Sequence, residues 1–567
     1  MDIANHKDMT LSEAGRLIVR ILRPEAGYFW LAIVYGVAIA LLGLATPVSV
    51  QLLINSVANT ALPAPLFVLS GLLLLLLVIA AGLSAARVYM MALFERRAFA
   101  RLVAEITLRT VDAKNPFFAD ARRADLFNRF FDLVMVQNAV PHLLIGGFAI
   151  VLQSAIGLVL TSFYHPFFLA FNGLLITLLL LVWSLWVGPA LRSAVKLSHA
   201  KHETARWLES VGTSQGFYQN GRPLAFALSR SEAVTAAYVR AHRRHFRHTF
   251  AQTLGFLLLY AVASAALLAL GGWLILQGQL SLGQLVAAEL VLSGVFYGIS
   301  QLGAYLETFY DLVASLHELS LFDDIEQEGE DPTRTVVAPV SGSLRLRDVE
   351  VGPYRFNLTV ASGEHLAVLT SSEAEQVVAA LLGRSVRPRH GLVTLGGADL
   401  CAFGLQRLRS EIRVLDRSAI AETTIREYLS LADDETGAAL LDSLELVGLS
   451  ERIARLPHKL DTTLSASGWP LSVDETMALK LAAVLLRPPK LLMLSSLYDL
   501  VPPDRLQAAL GTLRQTGTTV LQFTRRPDAL AYDGYLLLRP EEQIRFADTA
   551  SLVDRMKREG TSHALAA

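Results

Sequence analysis

The chain has 567 residues, of which 53% are hydrophobic, and its mean hydropathy is +0.43. That exceeds the roughly 45–50% apolar share of soluble globular domains, so a membrane-embedded part is implied. A formal net charge of -1 removes the basic footprint of a nucleic-acid binder, and the single cysteine, Cys401, excludes an intramolecular disulfide or a thiolate zinc cluster.

Residues 1–25 mix acids with bases and lack the apolar core and small-residue cleavage site of a signal peptide. Three long blocks then carry no Asp, Glu, Lys or Arg: Ala26 to Ala86, Leu133 to Leu191, and His248 to Ala288. A bilayer core takes roughly 20 helical residues, so these blocks predict six spans. They fall near 28–54, 64–93, 140–162, 167–188, 249–276 and 283–310. The short turns between paired spans contain no Lys or Arg. The two long connections are crowded with them, from Arg96 to Arg129 and from Arg192 to Arg247. Basic loops stay in the cytoplasm, so both termini are expected there. Connections of this length are expected to be helical extensions rather than structureless loops.

Asn115-Pro116-Phe117-Phe118 and Ala124-Asp125-Leu126-Phe127-Asn128-Arg129 lie in the first connection. Gly271-Gly272-Trp273-Leu274-Ile275-Leu276-Gln277-Gly278-Gln279-Leu280-Ser281-Leu282-Gly283-Gln284-Leu285 spans the last hairpin, and Ala314-Ser315-Leu316-His317-Glu318-Leu319 the helix leaving it. In these segments the chain resembles the membrane domain of exporter-type ABC transporters. The resemblance implies a bacterial-type inner-membrane protein whose long loops contact nucleotide-binding domains, with Phe117, Phe118, Asp125 and Arg129 as coupling candidates. It also implies pairing of two halves, as a homodimer or as a heterodimer with another ABC half-transporter, among membrane lipids. Glu289 lies early in the sixth span. An ionisable group there reads either as functional or as an interfacial group bonding a neighbouring helix. The histidines of Arg240 to His248 lack a nearby carboxylate or thiol, and the run reads as a solvated helix end rather than a metal site.

Residues 1–330 are thus expected to form an all-α membrane domain with cytoplasmic helical extensions, and 331–340 a linker, which follows on the acidic, breaker-rich run Glu326 to Pro332. Beyond it, apolar strand-like runs alternate with helical ones, which predicts an α/β domain over 341–567 with a largely parallel sheet. His365–Leu369 followed by a short turn and a helix of Val, Ala and Leu frames a P-loop. The order of elements resembles an ABC nucleotide-binding domain, that is, a P-loop NTPase fold.

The residues that carry chemistry in that family are replaced here. The loop reads Thr370-Ser371-Ser372-Glu373-Ala374-Glu375-Gln376-Val377, without glycine or cation. Gln376 stands where the family's phosphate-binding Lys falls, and Val377 at the Mg²⁺-binding hydroxyl. Asp416 stands for a glutamine, Ser495 and Ser496 for the Asp and Glu that close the strand Leu491–Leu494, and Arg525 for a histidine. In the signature, Ser472 remains while Val473 and Asp474 replace two glycines, and Pro353 takes the position of the adenine-stacking aromatic, with Tyr354 beside it. The catalytic parts of this machinery act as a unit. The expectation is therefore a degenerate domain with no catalytic residues, no metal and no cofactor, ATP and Mg²⁺ entering only if the altered site still holds them. Three functions fit the sequence. One is a transporter half that provides a translocation path while hydrolysis happens elsewhere; the others are an ATP-independent scaffold or regulatory subunit, and a weak ATPase exporting a lipid or peptide.

Overall fold

The computed structural model describes residues 11–60, 64–114, 128–328, 338–416, 419–431 and 437–558. Phe117, Phe118 and Asp125 lie outside the described residues. The chain divides into two compact units, 1–327 and 328–567.

The described part of the first unit is helical apart from short turns and an isolated bridge between Ala113 and Gln327. Helix α1 (Leu11–Leu22) packs Ala14, Leu17 and Ile18 against Ala190, Tyr310 and Val313. The first apolar run, expected as one helix over 28–54, divides into α2 (Ala26–Gly43) and α3 (Ala45–Thr60). Pro47 explains the break, because it has no N–H to give and its ring crowds the turn before it. Helix α4 (Ala64–Val111) has 48 residues, about 72 Å at 1.5 Å per residue, more than twice a bilayer core. The third span begins earlier than its predicted start at 140. It runs from α5 (Phe130–His142), through a π turn at Leu143–Gly147, into α6 (Phe148–Ser162). The widened turn accommodates Tyr305, which stacks on His142 at 5.1 Å, and a Cβ at Gly146 would stand 2.3 Å from the Tyr305 hydroxyl. Long helices α7 (Pro166–Thr213), α8 (Gly221–Leu276) and α9 (Leu282–Ser320) complete six helical stretches long and apolar enough to span a membrane.

The second unit contains two sheets. Strands β1 (Leu344–Val351) and β2 (Tyr354–Val360) form an antiparallel pair, and Tyr354 is buried against Phe356. Next come β3 (His365–Leu369), α10 (Ser372–Leu382), β4 (His390–Leu395), β5 (Ala398–Asp399) and β6 (Ile412–Leu415). Helices α11 (Gly437–Leu446) and α12 (Val473–Leu486) precede β7 (Leu491–Leu494), α13 (Pro503–Gln515), β8 (Thr519–Phe523), β9 (Gly534–Leu538), β10 (Gln543–Phe546) and α14 (Thr549–Arg558). The larger sheet has the order β10-β9-β3-β8-β7-β6, parallel except at β10. Every residue of β3, β7, β8 and β9 is buried, as a parallel sheet covered on both faces requires. The smaller sheet, β2-β1-β4-β5, is antiparallel, and the half-polar alternation of β1 gives it one solvated face.

Candidate functional site

In a doubly covered parallel sheet, ligands sit beyond the carboxyl ends of the strands. Here the ends of β3, β6, β7 and β8 converge, and the altered positions gather around them. Only Thr370 and Ser371 separate β3 from α10. Thr370 Oγ1 donates to the Leu538 carbonyl at 2.7 Å, and Ser371 caps the helix, accepting from the Ala374 N–H at 3.3 Å. The Glu375 N–H bonds the Ser371 carbonyl at 3.0 Å. The segment that would wrap phosphates as an open loop is therefore wound into the first turns of α10. Residue choice explains the winding. A Ser cap, Ala, Gln and two glutamates near a positive helix end all favour helix, and no glycine interrupts them.

Glu375 reaches across this junction. Its Oε1 accepts from the Ser496 N–H at 3.2 Å, joining the start of α10 to the end of β7. Burial and the nearby Asp416 charge push its carboxyl above the ordinary carboxylate range, against the pull of Ser496 hydrogen bonds and the Arg525 charge. Ser495 is buried, its N–H held by the Leu415 carbonyl at 3.1 Å, and its hydroxyl has no hydrogen-bond partner. Arg525 is exposed, with its backbone N–H pinned by Asp499 Oδ2 at 2.8 Å. Asp499 Oδ1 also takes the Thr524 hydroxyl at 2.6 Å, a tie between the ends of β7 and β8 that sequence reasoning missed. Gln376 is exposed and Val377 packs against the sheet core.

A magnesium nucleotide needs converging N–H groups, a cation for its outer phosphates and oxygen ligands for the metal. The groups at this junction supply a carboxylate at the helix start and an amide already bonded to it, a poor match for a triphosphate.

The signature segment is also internally committed. Ser472 caps α12, accepting from the Glu475 N–H at 3.4 Å and donating to Asp474 Oδ1 at 2.5 Å. Glu475 returns a bond to the Ser472 N–H at 3.0 Å and pairs with Arg452 at 3.0 Å. Two carboxylates thus occupy the first turn of α12.

In the membrane unit, Glu289 is exposed along α9 and accepts from Ser293 on the same helix at 3.2 Å. Arg129 pairs with Glu318, which is fully buried and also lies 3.1 Å from His199 Nδ1. Nearby, buried Asp132 accepts from Lys201 at 3.0 Å and Ser315 at 3.2 Å, with His202 Nε2 at 2.6 Å. This node joins α5, α7 and α9. Of its members, sequence reasoning had singled out Arg129 alone. A carboxylate at 132 just before a charge-free block was the available signal.

Residues 29–205 match the family model described as the ABC transporter transmembrane region. An ABC multidrug transporter, mdr2, of Aspergillus fumigatus is 23% identical over 96% of this chain and 71% of its own length. The ATM1-type heavy metal exporter of Novosphingobium aromaticivorans is 25% identical over 66% of this chain and 61% of its own. An uncharacterized ABC transporter ATP-binding protein, YwjA, of Bacillus subtilis is 27% identical, with 46% of its length covered, so the chain spans about half of that relative. A solved structure, a bacterial Atm1-family ABC exporter with ATP bound, superposes with a TM-score of 0.76 at 19% identity, covering 97% of this chain and 98% of that one. Residues 29–205 are thus an ABC transporter transmembrane region, and the chain as a whole has the fold of an ABC exporter, with six helices long and apolar enough to span a membrane among its described residues, followed by a sheet-containing domain.

Proposed function

We propose that this chain is a non-hydrolysing exporter half that provides part of a translocation path, with energy supplied by a partner half-transporter. The observation that carries this reading is the Glu375 to Ser496 bond at 3.2 Å, which lies across the junction where a nucleotide's phosphates and metal would have to sit. The winding of Ser372 to Gln376 into helix supports it, because a phosphate cradle needs an open, glycine-rich backbone. Gln376, Val377, Ser495 and Ser496 then serve packing and hydrogen bonding rather than phosphoryl transfer, and Asp416 and Arg525 set the charge around Glu375. Along α9, Glu289, Ser293 and Tyr297 form an exposed polar row at four-residue spacing, suited to lining a path formed by two halves. The protein works as a dimer in a bacterial-type inner membrane with both termini cytoplasmic, and Phe117, Phe118, Asp125 and Arg129 are its coupling residues. Its cargo is an amphiphile or hydrophobic peptide, in keeping with spans made of Leu, Ala and Gly.

One observation favours a second reading, an ATP-independent scaffold or regulatory subunit. The hydroxyl of Ser472 is bound inside its own capping box, so a partner's nucleotide would face a committed signature as well.

The test is Mg-ATP binding and turnover by the full chain in lipid nanodiscs. No saturable binding below millimolar nucleotide and no turnover are expected. Micromolar binding, or turnover lost on Ser495→Ala or Gln376→Ala, would overturn the proposal in favour of a weak ATPase.

A further inference from the structure

Arg87 follows directly on the charge-free block Ala26 to Ala86 and lies inside the second span. Only 7% of its surface is exposed. Its guanidinium rests against α2, where a Cβ built on Gly36 would stand 3.8 Å from Nη1 and 3.2 Å from Leu152. The face that α2 buries is Ala32, Gly36 and Ala40, one small residue per turn, so the cation meets helix backbone rather than bulky side chains. Arg87 Nε and Nη1 have no hydrogen-bond partner, and no acid pairs with Arg87 among the described residues.

The same helix treats its other cations differently. Arg97 and Arg101 pair with buried Glu25 at 3.2 and 3.5 Å. Arg87 is ten residues, about 15 Å, deeper along α4 than Arg97. A long basic side chain near a membrane surface normally reaches outward to headgroups and water. This one is folded inward between helices. A guanidinium stays charged under all ordinary conditions, and a charge left unpaired in a span is costly. Its unpartnered Nε and Nη1 donors suit the oxygens of a phosphate. The stretch of α4 before it is bare apolar surface, with Leu74 at 65% and Val78 at 60% exposure. A molecule with a hydrocarbon chain has a surface to follow up to the cation.

We propose that Arg87 is the cation of a binding site for the phosphate group of an amphiphile, entered along the apolar flank of α4. The anion completes the hydrogen bonding that the protein leaves open. The amphiphile is a membrane phospholipid, and a phosphorylated solute is the alternative the test must exclude.

Native mass spectrometry of the purified full-length protein tests this with phosphatidylglycerol, with diacylglycerol as the phosphate-free control, and with inorganic phosphate. The wild type should retain at least one more phosphatidylglycerol per chain than Arg87→Leu, with affinity higher by about tenfold, as for a charge-assisted pair. Diacylglycerol should bind both proteins alike, and Arg87→Lys should be intermediate. Displacement by inorganic phosphate would assign the site to a phosphorylated solute, and lack of displacement to the phospholipid. Equal phosphatidylglycerol retention by wild type and Arg87→Leu would overturn the proposal. Should Arg87→Leu fail to fold, wild-type thermal stability decides: equal stabilisation by phosphatidylglycerol and diacylglycerol would equally overturn it.

Discussion

Glu375 ties the start of α10 to the end of β7 through one hydrogen bond. Its carboxylate is half-buried, bonded to a backbone amide 121 positions away, and shifted upward mainly by burial. An acid with a raised folded-state value binds its proton more tightly when folded. Its contribution to stability is therefore most favourable below the ordinary glutamate value and declines as pH rises through the folded value, leaving a penalty at neutral pH. Glu375→Gln keeps an acceptor and removes the charge. The variant is expected to melt about 1–2 °C above wild type at pH 8, a small effect because the group is partly solvated, and to converge with it near pH 4. Thermal unfolding in detergent across that range is the measurement; a variant that melts lower than wild type at pH 8 would contradict the assignment. None of this was legible in the sequence, which showed two acids near a helix start but gave no sign of which one crosses to β7. Arg87 was overlooked for a related reason. It stands one residue past a charge-free block, and a hydropathy pattern absorbs it into the span.

At the scale of elements, legibility follows burial. The all-apolar runs at β3, β7, β8 and β9 are readable because strands covered on both faces have nothing polar to alternate with. The antiparallel sheet was not read as such, since β1 mixes Arg, Asp and Glu with its buried Leu and Val and carries a register shift between Leu346 and Val349. The altered loop was readable as a change in chemistry but not as a change in shape. It has enough residues for an open turn, and only the summed preferences of Ser, Glu, Ala and Gln decide that it winds. Reversing those preferences should reverse the winding. Replacing Glu373 and Glu375 together by glycine costs on the order of 1 kcal/mol per position in helix propensity and also deletes the Ser496 bond. Amide hydrogen exchange over residues 373–377 is expected to accelerate at least about tenfold while β3 stays protected. Unchanged exchange would mean that the packing of Ala374 and Val378 holds the turn by itself.

For the molecule as a whole, six spans and two domain types were visible from charge-free blocks and from alternating apolar runs, because a bilayer and a sheet each impose a length on the chain. The break at Pro47 had its signal in the proline itself and was passed over, whereas the π turn beside Tyr305 depends on a residue in another helix. If the chain is a passive half, its complex with an ATP-hydrolysing partner should lose nearly all turnover when the partner's phosphate-binding Lys is replaced, and keep it within about twofold when Ser495→Ala is made here. Turnover by the purified complex in nanodiscs decides the matter, and a drop of about tenfold or more from Ser495→Ala would show that this half participates in the chemistry.

The node around Asp132 and Glu318 has one more implication. Each carboxylate is shielded from solvent and paired with groups from neighbouring helices: Arg129 just before α5, His199, Lys201 and His202 on α7, and Ser315 on α9. Sliding any one of these helices against the others would strand both anions in a poorly polarisable interior, at several kcal/mol each. These ends of α5, α7 and α9 are therefore tied into one block, so helices that shift against one another should do so at other seams.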